Sequence, residues 1–166
     1  MRLHFRENPN CDILTGMIIY FGADHRGFSL KEFLKSQAQD QGYETLDCGN
    51  SQYDESDDYP DFARAVAEKV GKNPDGSRGI LICGSGVGMD IAANKFPGVR
   101  AGLALSSDQI YDARRDDDIN ILAVPADFVS QEDAGKILKI FLETKFKSEE
   151  RHRRRLGKIA EIEDSL

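Results

Sequence analysis

The residues of this chain whose types and spacing suit chemistry are concentrated in Ile80-Leu81-Ile82-Cys83-Gly84-Ser85-Gly86-Val87-Gly88-Met89. An apolar run ends in a thiol, glycines follow at alternate positions 84, 86 and 88, and apolar residues then recur at Val87, Ile91 and Ala92 with helical spacing. The pattern reads as strand, glycine loop, helix. Glycines remove the side chains that would keep a ligand from the backbone, so the loop N–H groups and the helix start can together receive an anion. Cys83 stands at the mouth of that cradle, where a thiol among N–H donors can serve as a base or nucleophile near neutral pH. The same pattern also suits plain packing, because glycine turns and a buried cysteine at a strand end are ordinary features of α/β proteins. It matches neither the Walker A loop, which closes on Gly-Lys-Ser/Thr, nor the Gly-x-Gly-x-x-Gly dinucleotide fingerprint.

Two further stretches carry ionisable groups at informative spacings. Ala23-Asp24-His25-Arg26-Gly27-Phe28 is a strand-to-helix loop, the kind of place where α/β sheets bind ligands. It reads equally as a helix cap at Asp24 with His25 and Arg26 facing water. Near the C-terminus, Arg151, Arg153, Arg154 and Arg155 form a basic island in an acidic chain. Arg151 and Arg155, four apart, project from one helix face and can hold a phosphate as a pair. A solvated face pairing with Glu149 and Glu150 is the competing reading.

The elements needed to position these groups follow from periodicity. Strands are expected over Met17–Gly22, Tyr43–Asp47, the run ending at Ile82, Arg100–Leu105 and Ile119–Val124. Helices are expected over Ser29–Gln41 with Leu30, Phe33 and Leu34 buried, from Tyr59-Pro60 to Lys72, after the glycine loop, and over Ser107–Asp117, Ser130–Thr144 and Glu149–Leu166. Alternating strands and helices imply right-handed crossovers and a parallel sheet covered on both faces. The fold class is therefore α/β, a single domain over 17–166 preceded by an extension over 1–16 that shows no periodicity. With 166 residues and 40% hydrophobic content the chain suits one core rather than two. A net charge of -7 argues against nucleic-acid or acidic-membrane partners, so any anion site must be local. Cys11, Cys48 and Cys83 form neither a close pair nor a metal-ligand spacing, and an odd number suits a reducing compartment. No membrane span or signal-peptide core is evident, and a cytoplasmic location is expected.

Taken together, Gly22-Ala23-Asp24-His25-Arg26-Gly27, Asp58-Tyr59-Pro60, Ile82 to Gly88, Ala92-Ala93-Asn94-Lys95 and the Arg151-His152 to Arg155 stretch resemble the ribose-5-phosphate isomerase B family, which also includes galactose-6-phosphate isomerase subunits. The match runs in order from about Met17 to Ile162. The resemblance implies a Rossmann-like three-layer fold with a five-stranded parallel sheet and an extra C-terminal helix. It also implies a homodimer with sites at the interface, with further pairing of dimers left open, and isomerisation of a phosphorylated sugar without metal or cofactor. Ribose 5-phosphate to ribulose 5-phosphate is the leading expectation; a six-carbon phosphosugar (allose or galactose 6-phosphate) and a non-catalytic phosphosugar-binding homologue are the alternatives.

Carried over by position, the resemblance makes Cys83 the base that moves a proton between C1 and C2, assisted by Ser85. The backbone of Gly84, Gly86, Val87 and Gly88 would stabilise the enediolate. Asp24 and His25 would hold sugar oxygens, Tyr59 would line the pocket, and Arg151 and Arg155 would take the phosphate across the dimer interface. Three departures from the family matter. The usual His-Asn that opens the sugar ring is Asp116-Asp117, and the usual Gly-x-Arg is Pro125-Ala126-Asp127. Asp116 is expected to open the ring if neighbouring carboxylates raise its pKa, with His25 as the other candidate and the open-chain sugar in solution as a third route.

Overall fold

The computed structural model describes residues 16–165. The expected extension therefore lies outside the described residues, apart from Gly16, as does Cys11. Strands β1 (Ile18–Ala23), β2 (Glu44–Asp47), β3 (Ser77–Cys83), β4 (Ala101–Leu103) and β5 (Ile121–Pro125) form one parallel sheet in the order β2-β1-β3-β5-β4. Between and after them come α1 (Phe28–Asp40), α2 (Tyr59–Lys72), α3 (Val87–Ala93), α4 (Ser107–Asp117), α5 (Gln131–Glu143) and α6 (Glu150–Asp164).

The period-2 geometry of a strand divides β3 and β5 between two cores. Ile80, Ile82, Leu122 and Val124 join Ile19 and Phe21 beneath α1, α4 and α5. Leu81, Cys83, Ile121 and Ala123 face the other way, against Ala63, Val66, Ala67 and Val70 of α2 and Met89 and Ala93 of α3. Burying each such Ile, Leu or Val stabilises the fold by about 1.5–3 kcal/mol, and both faces of the central strands are used. Cys83 thus ends β3 on the α2/α3 side, which aims its sulfur at the glycine loop.

Three elements differ from the sequence expectations, each for a local reason. β4 spans only Ala101–Leu103, because the chain leaves the sheet for Ser106, whose side chain accepts the Gln109 N–H and starts α4. β5 starts at Ile121 rather than Ile119. The residue before it, Asn120, is buried and pins the 98–100 turn instead, its Oδ1 accepting the Arg100 N–H at 2.8 Å and its Nδ2 donating to the Gly98 carbonyl at 2.8 Å. On α1, Leu30 and Leu34 are buried as expected, Phe33 only partly, and Lys31 is fully enclosed. The Lys31 ammonium donates to Asp47 Oδ1 at 3.0 Å and to the Asn50 carbonyl at 2.9 Å, tying α1 to the loop that follows β2. A buried charge is tolerable when it is paired and its donors are satisfied, as these are.

The sheet order fixes where a site can form. From β1 the chain moves to one side, to β2, and from β3 to the other, so the carboxyl ends of β1 and β3 flank a topological switch point. The loop that carries Asp24 and the loop that follows Cys83 both open there.

Candidate active site

A cavity of about 610 Å³ occupies this switch point. Asp24, Arg26, Tyr59, Cys83, Gly84, Ser85, Val87, Gly88, Ile91, Asp127 and Phe128 line it. Cys83 is only 4% exposed, and its sulfur accepts the Gly86 N–H at 3.2 Å, which fixes the sulfur's position beneath the loop. Ser85 is exposed, with its hydroxyl oxygen 3.4 Å from the Val87 N–H. Gly86 has φ 74°, and a Cβ there would lie 2.6 Å from Leu103, so both backbone conformation and packing require glycine. At Gly88 a Cβ would lie 2.7 Å from the Tyr59 ring, which explains how an aromatic from the start of α2 closes against the loop.

Asp24 is 7% exposed, and its Oδ1 accepts the N–H groups of Arg26 and Gly27, both at 3.0 Å. Burial raises its pKa from the ordinary aspartate value. Asp24 is not the cap of α1, whose N-cap is Gly27 without a side-chain hydrogen bond; it holds the loop ahead of the helix and lines the cavity. His25 does not line it. Instead its Nδ1 lies 2.8 Å from Asp57 Oδ1, and its backbone N–H donates to the same oxygen at 3.0 Å. The hydrogen bond to Asp57 raises the His25 pKa above the usual histidine value, which suits an acid near neutral pH.

This shift has a checkable consequence. Asp57→Asn should lower the His25 pKa, followed by NMR titration of the imidazole proton signals. The sign for stability follows by linkage. A raised folded-state pKa contributes stability that is fully present below about 6.5, the unfolded value, and is lost as pH rises through the folded pKa. Asp57→Asn should flatten that part of the pH–stability curve, and an unchanged His25 titration would mean that Asp57 does not set it.

The other expected site residues lie elsewhere in the chain. Asp116, Arg151 and His152 cluster where α4 meets α6, and neither Asp117 nor Arg155 reaches the Cys83 cavity. Arg151 pairs with Glu149 at 2.9 Å, and Arg155 is exposed. His152 is 1% exposed, without a hydrogen-bond partner for either ring nitrogen, and its Nε2 stands 3.7 Å from Asp116 Oδ1.

The expectation that neighbouring carboxylates raise the Asp116 pKa is corrected by this geometry. Arg115 grips Asp116 with two hydrogen bonds of 2.7 and 2.8 Å. That hydrogen-bonded guanidinium holds the carboxyl down at about 2. Nor does the neighbouring acid Asp118 act on it as a free charge, since it is paired to Arg100 and Arg114 at 2.8 and 2.7 Å. Asp116 is here an anion, not an acid poised to give a proton.

Comparison with known proteins bears on what this arrangement does. The family profile described as Ribose/Galactose Isomerase matches residues 19–159. A probable ribose-5-phosphate isomerase B of Mycoplasma genitalium is 41% identical over 145 residues, 87% of this chain and 95% of that protein. The chain belongs to the ribose-5-phosphate isomerase B family. The family's Mycobacterium tuberculosis member is 38% identical over 150 residues, 90% of this chain and 92% of that one. The crystal structure of the M. genitalium family member with bound ribulose-5-phosphate superposes with a TM-score of 0.87 at 40% identity, covering 90% of this chain and 98% of that one. The Clostridium thermocellum ribose-5-phosphate isomerase B gives a TM-score of 0.85 at 42% identity, over 90% and 99%. The α/β fold with its five-stranded parallel sheet is thus the fold of this isomerase family. Among the described residues, no helix is long and apolar enough to cross a membrane.

Sequence reasoning missed several contributors. Asp57 sits in an acidic loop, Asp54 to Asp58, where nothing local separates it from its neighbours. Lys31 carried a faint signal, as a lysine beside Leu30 on the buried side of α1. Arg26 was visible in the loop, but its partner Asp127 lies 101 residues away.

Proposed function

We propose that this chain is an aldose–ketose isomerase that interconverts ribose 5-phosphate and ribulose 5-phosphate through an enediolate, as a cytoplasmic homodimer. The observation that carries the reading is the placement of Cys83 beneath the glycine loop in the switch-point cavity, in a fold matching a relative that binds ribulose-5-phosphate. In the proposed reaction the Cys83 thiolate takes the C2 proton of the open-chain aldose. The electron pair moves onto O1, where N–H groups of the Gly84–Gly88 loop stabilise the developing oxyanion. Ser85 relays the O2 proton to O1, and the Cys83 thiol returns its proton to C1 to give the ketose. No redox partner is needed, since the oxidation at C2 balances the reduction at C1.

Asp24 and Tyr59 hold the sugar in this reading. Neither candidate ring-opening acid lines the cavity in a single copy of the chain; of the two, His25, next to Asp24 and with its pKa raised by Asp57, fits the role better than Asp116, which Arg115 holds as an anion. Arg151 and Arg155 reach the phosphate only if a second copy brings its α6 to this cavity. Exposed apolar residues support such a partner: Val87 and Ile91 on α3 are 44% and 56% exposed, and Ile159 and Ile162 on α6 are 44% and 62% exposed.

The test is a kinetic panel of purified protein with ribose 5-phosphate, allose 6-phosphate and galactose 6-phosphate. The pentose should give the highest kcat/KM. A six-carbon preference would reassign the substrate, and binding without turnover of any of the three would make the protein a phosphosugar binder.

A further inference from the structure

The switch-point cavity carries a charge problem that the residues assigned so far leave open. Two carboxylates, Asp24 and Asp127, line it, and Arg26 is the single cationic side chain among its described lining residues. A phosphate monoester dianion entering between two carboxylates meets repulsion unless a cation stands there. Arg26 donates through Nη2 to Asp127, and the pair lies across the mouth of the cavity with side chains 58% and 35% exposed. A Cβ at Gly84 would fall 2.6 Å from Arg26 Nε and 2.7 Å from Asp127 Oδ2, so the pair rests directly on the loop backbone and only glycine leaves room for it.

Both halves are held from behind. The Arg26 N–H is fixed by Asp24 Oδ1 at 3.0 Å, and the Asp127 N–H donates to the Gly84 carbonyl at 3.0 Å. The guanidinium therefore has one donor on Asp127 and, among the described residues, no partner for its other N–H groups, and it lies over the glycine loop that follows Cys83 and contains Ser85. Planar, multiply donating guanidinium is the side chain best suited to phosphate oxygens.

We propose that Arg26 contacts the anionic group of the substrate from within the same subunit as Cys83, and that Asp127 is its positioning residue, holding the guanidinium flat over Gly84. The inference rests on the phosphosugar reading and adds to it a cation that does not depend on the second subunit. A dianion with three terminal oxygens accommodates Arg26 together with arginines from a partner's α6.

The test measures KM and kcat for ribose 5-phosphate, and the Kd of inorganic phosphate by calorimetry, on the full chain. Because Arg26 is exposed, Arg26→Gln should keep the wild-type Tm. It should raise KM and the phosphate Kd by roughly tenfold or more, the scale of a lost charge-assisted hydrogen bond, with little change in kcat. Arg26→Lys should recover part of the loss. Asp127→Asn should raise KM about threefold when Arg26 is present. It should lower KM in the Arg26→Gln background, where the carboxylate only repels the anion; a merely structural Asp127 would not reverse sign. The exchange Arg26→Asp with Asp127→Arg should bind phosphate better than Arg26→Asp alone. An unchanged KM and phosphate Kd in Arg26→Gln would overturn the proposal while leaving the isomerase reading intact. Weakened phosphate binding in Arg26→Gln, in a protein that turns over none of the sugars, would uphold the anion contact and remove the isomerase reading instead.

Discussion

Cys83→Ala should lower kcat for ribose 5-phosphate by about a thousandfold or more, within the range that a positioned general base contributes or somewhat above it. The expected loss is in kcat rather than KM, because in the proposed reaction the sulfur takes the C2 proton and does not anchor the phosphate. The fold should survive. Cys83 is a small residue at the end of β3, packed with Leu81, Met89 and Ala123, and replacing its sulfur by hydrogen should cost about 1 kcal/mol, typical of a modest core truncation. A thermal melt beside the kinetics separates the two effects. The assignment fails if the variant turns over near the wild-type rate, since no other thiol stands among the described lining residues of the cavity.

The second large effect concerns the two halves of the site. In a single copy of the chain the Cys83 cavity and the α6 arginines are separate features, with Arg155 exposed and outside the cavity lining. Arg155→Ala should leave the protein folded and nearly inactive at low substrate, because binding energy from the phosphate also positions C1 and C2 over the sulfur. If the site is completed by a second copy, mixing Cys83→Ala with Arg155→Ala subunits under exchange should restore activity. A mixed dimer pairs an intact Cys83 from one subunit with an intact Arg155 from the other in one of its two sites. Half the dimers are mixed at random, so roughly a quarter of the wild-type activity should return. Exchange is verified separately by mass-tagged subunits. A mixture that exchanges and stays inactive would mean that Cys83 and Arg155 serve one subunit's site, or that Arg155 is only a solvated charge.

The sequence by itself determined what is local in this protein. The β3 run, its terminal Cys83 and the glycines at 84, 86 and 88 were legible because strand alternation and glycine's tolerance of φ 74° are properties of short stretches. The four-residue spacing of Arg151 and Arg155 on α6 was legible for the same reason. What only the tertiary structure decided are the pairings between distant loops. Inserting β5 between β3 and β4 brings Asp127 to Gly84 and hence to Arg26, a pairing across 101 residues that no periodicity encodes. The packing of the loop after β2 places Asp57 on His25 and, through Lys31, ties that loop to α1. Asp116 is the sharpest case. From the sequence it stood in a run of carboxylates that would raise one another's pKa, whereas the fold gives it the Arg115 guanidinium and holds it low. Arg115 adjoins it in the chain just as Asp117 does; side-chain geometry decides which of the two lies on the carboxyl, and the nearer charge sets its protonation.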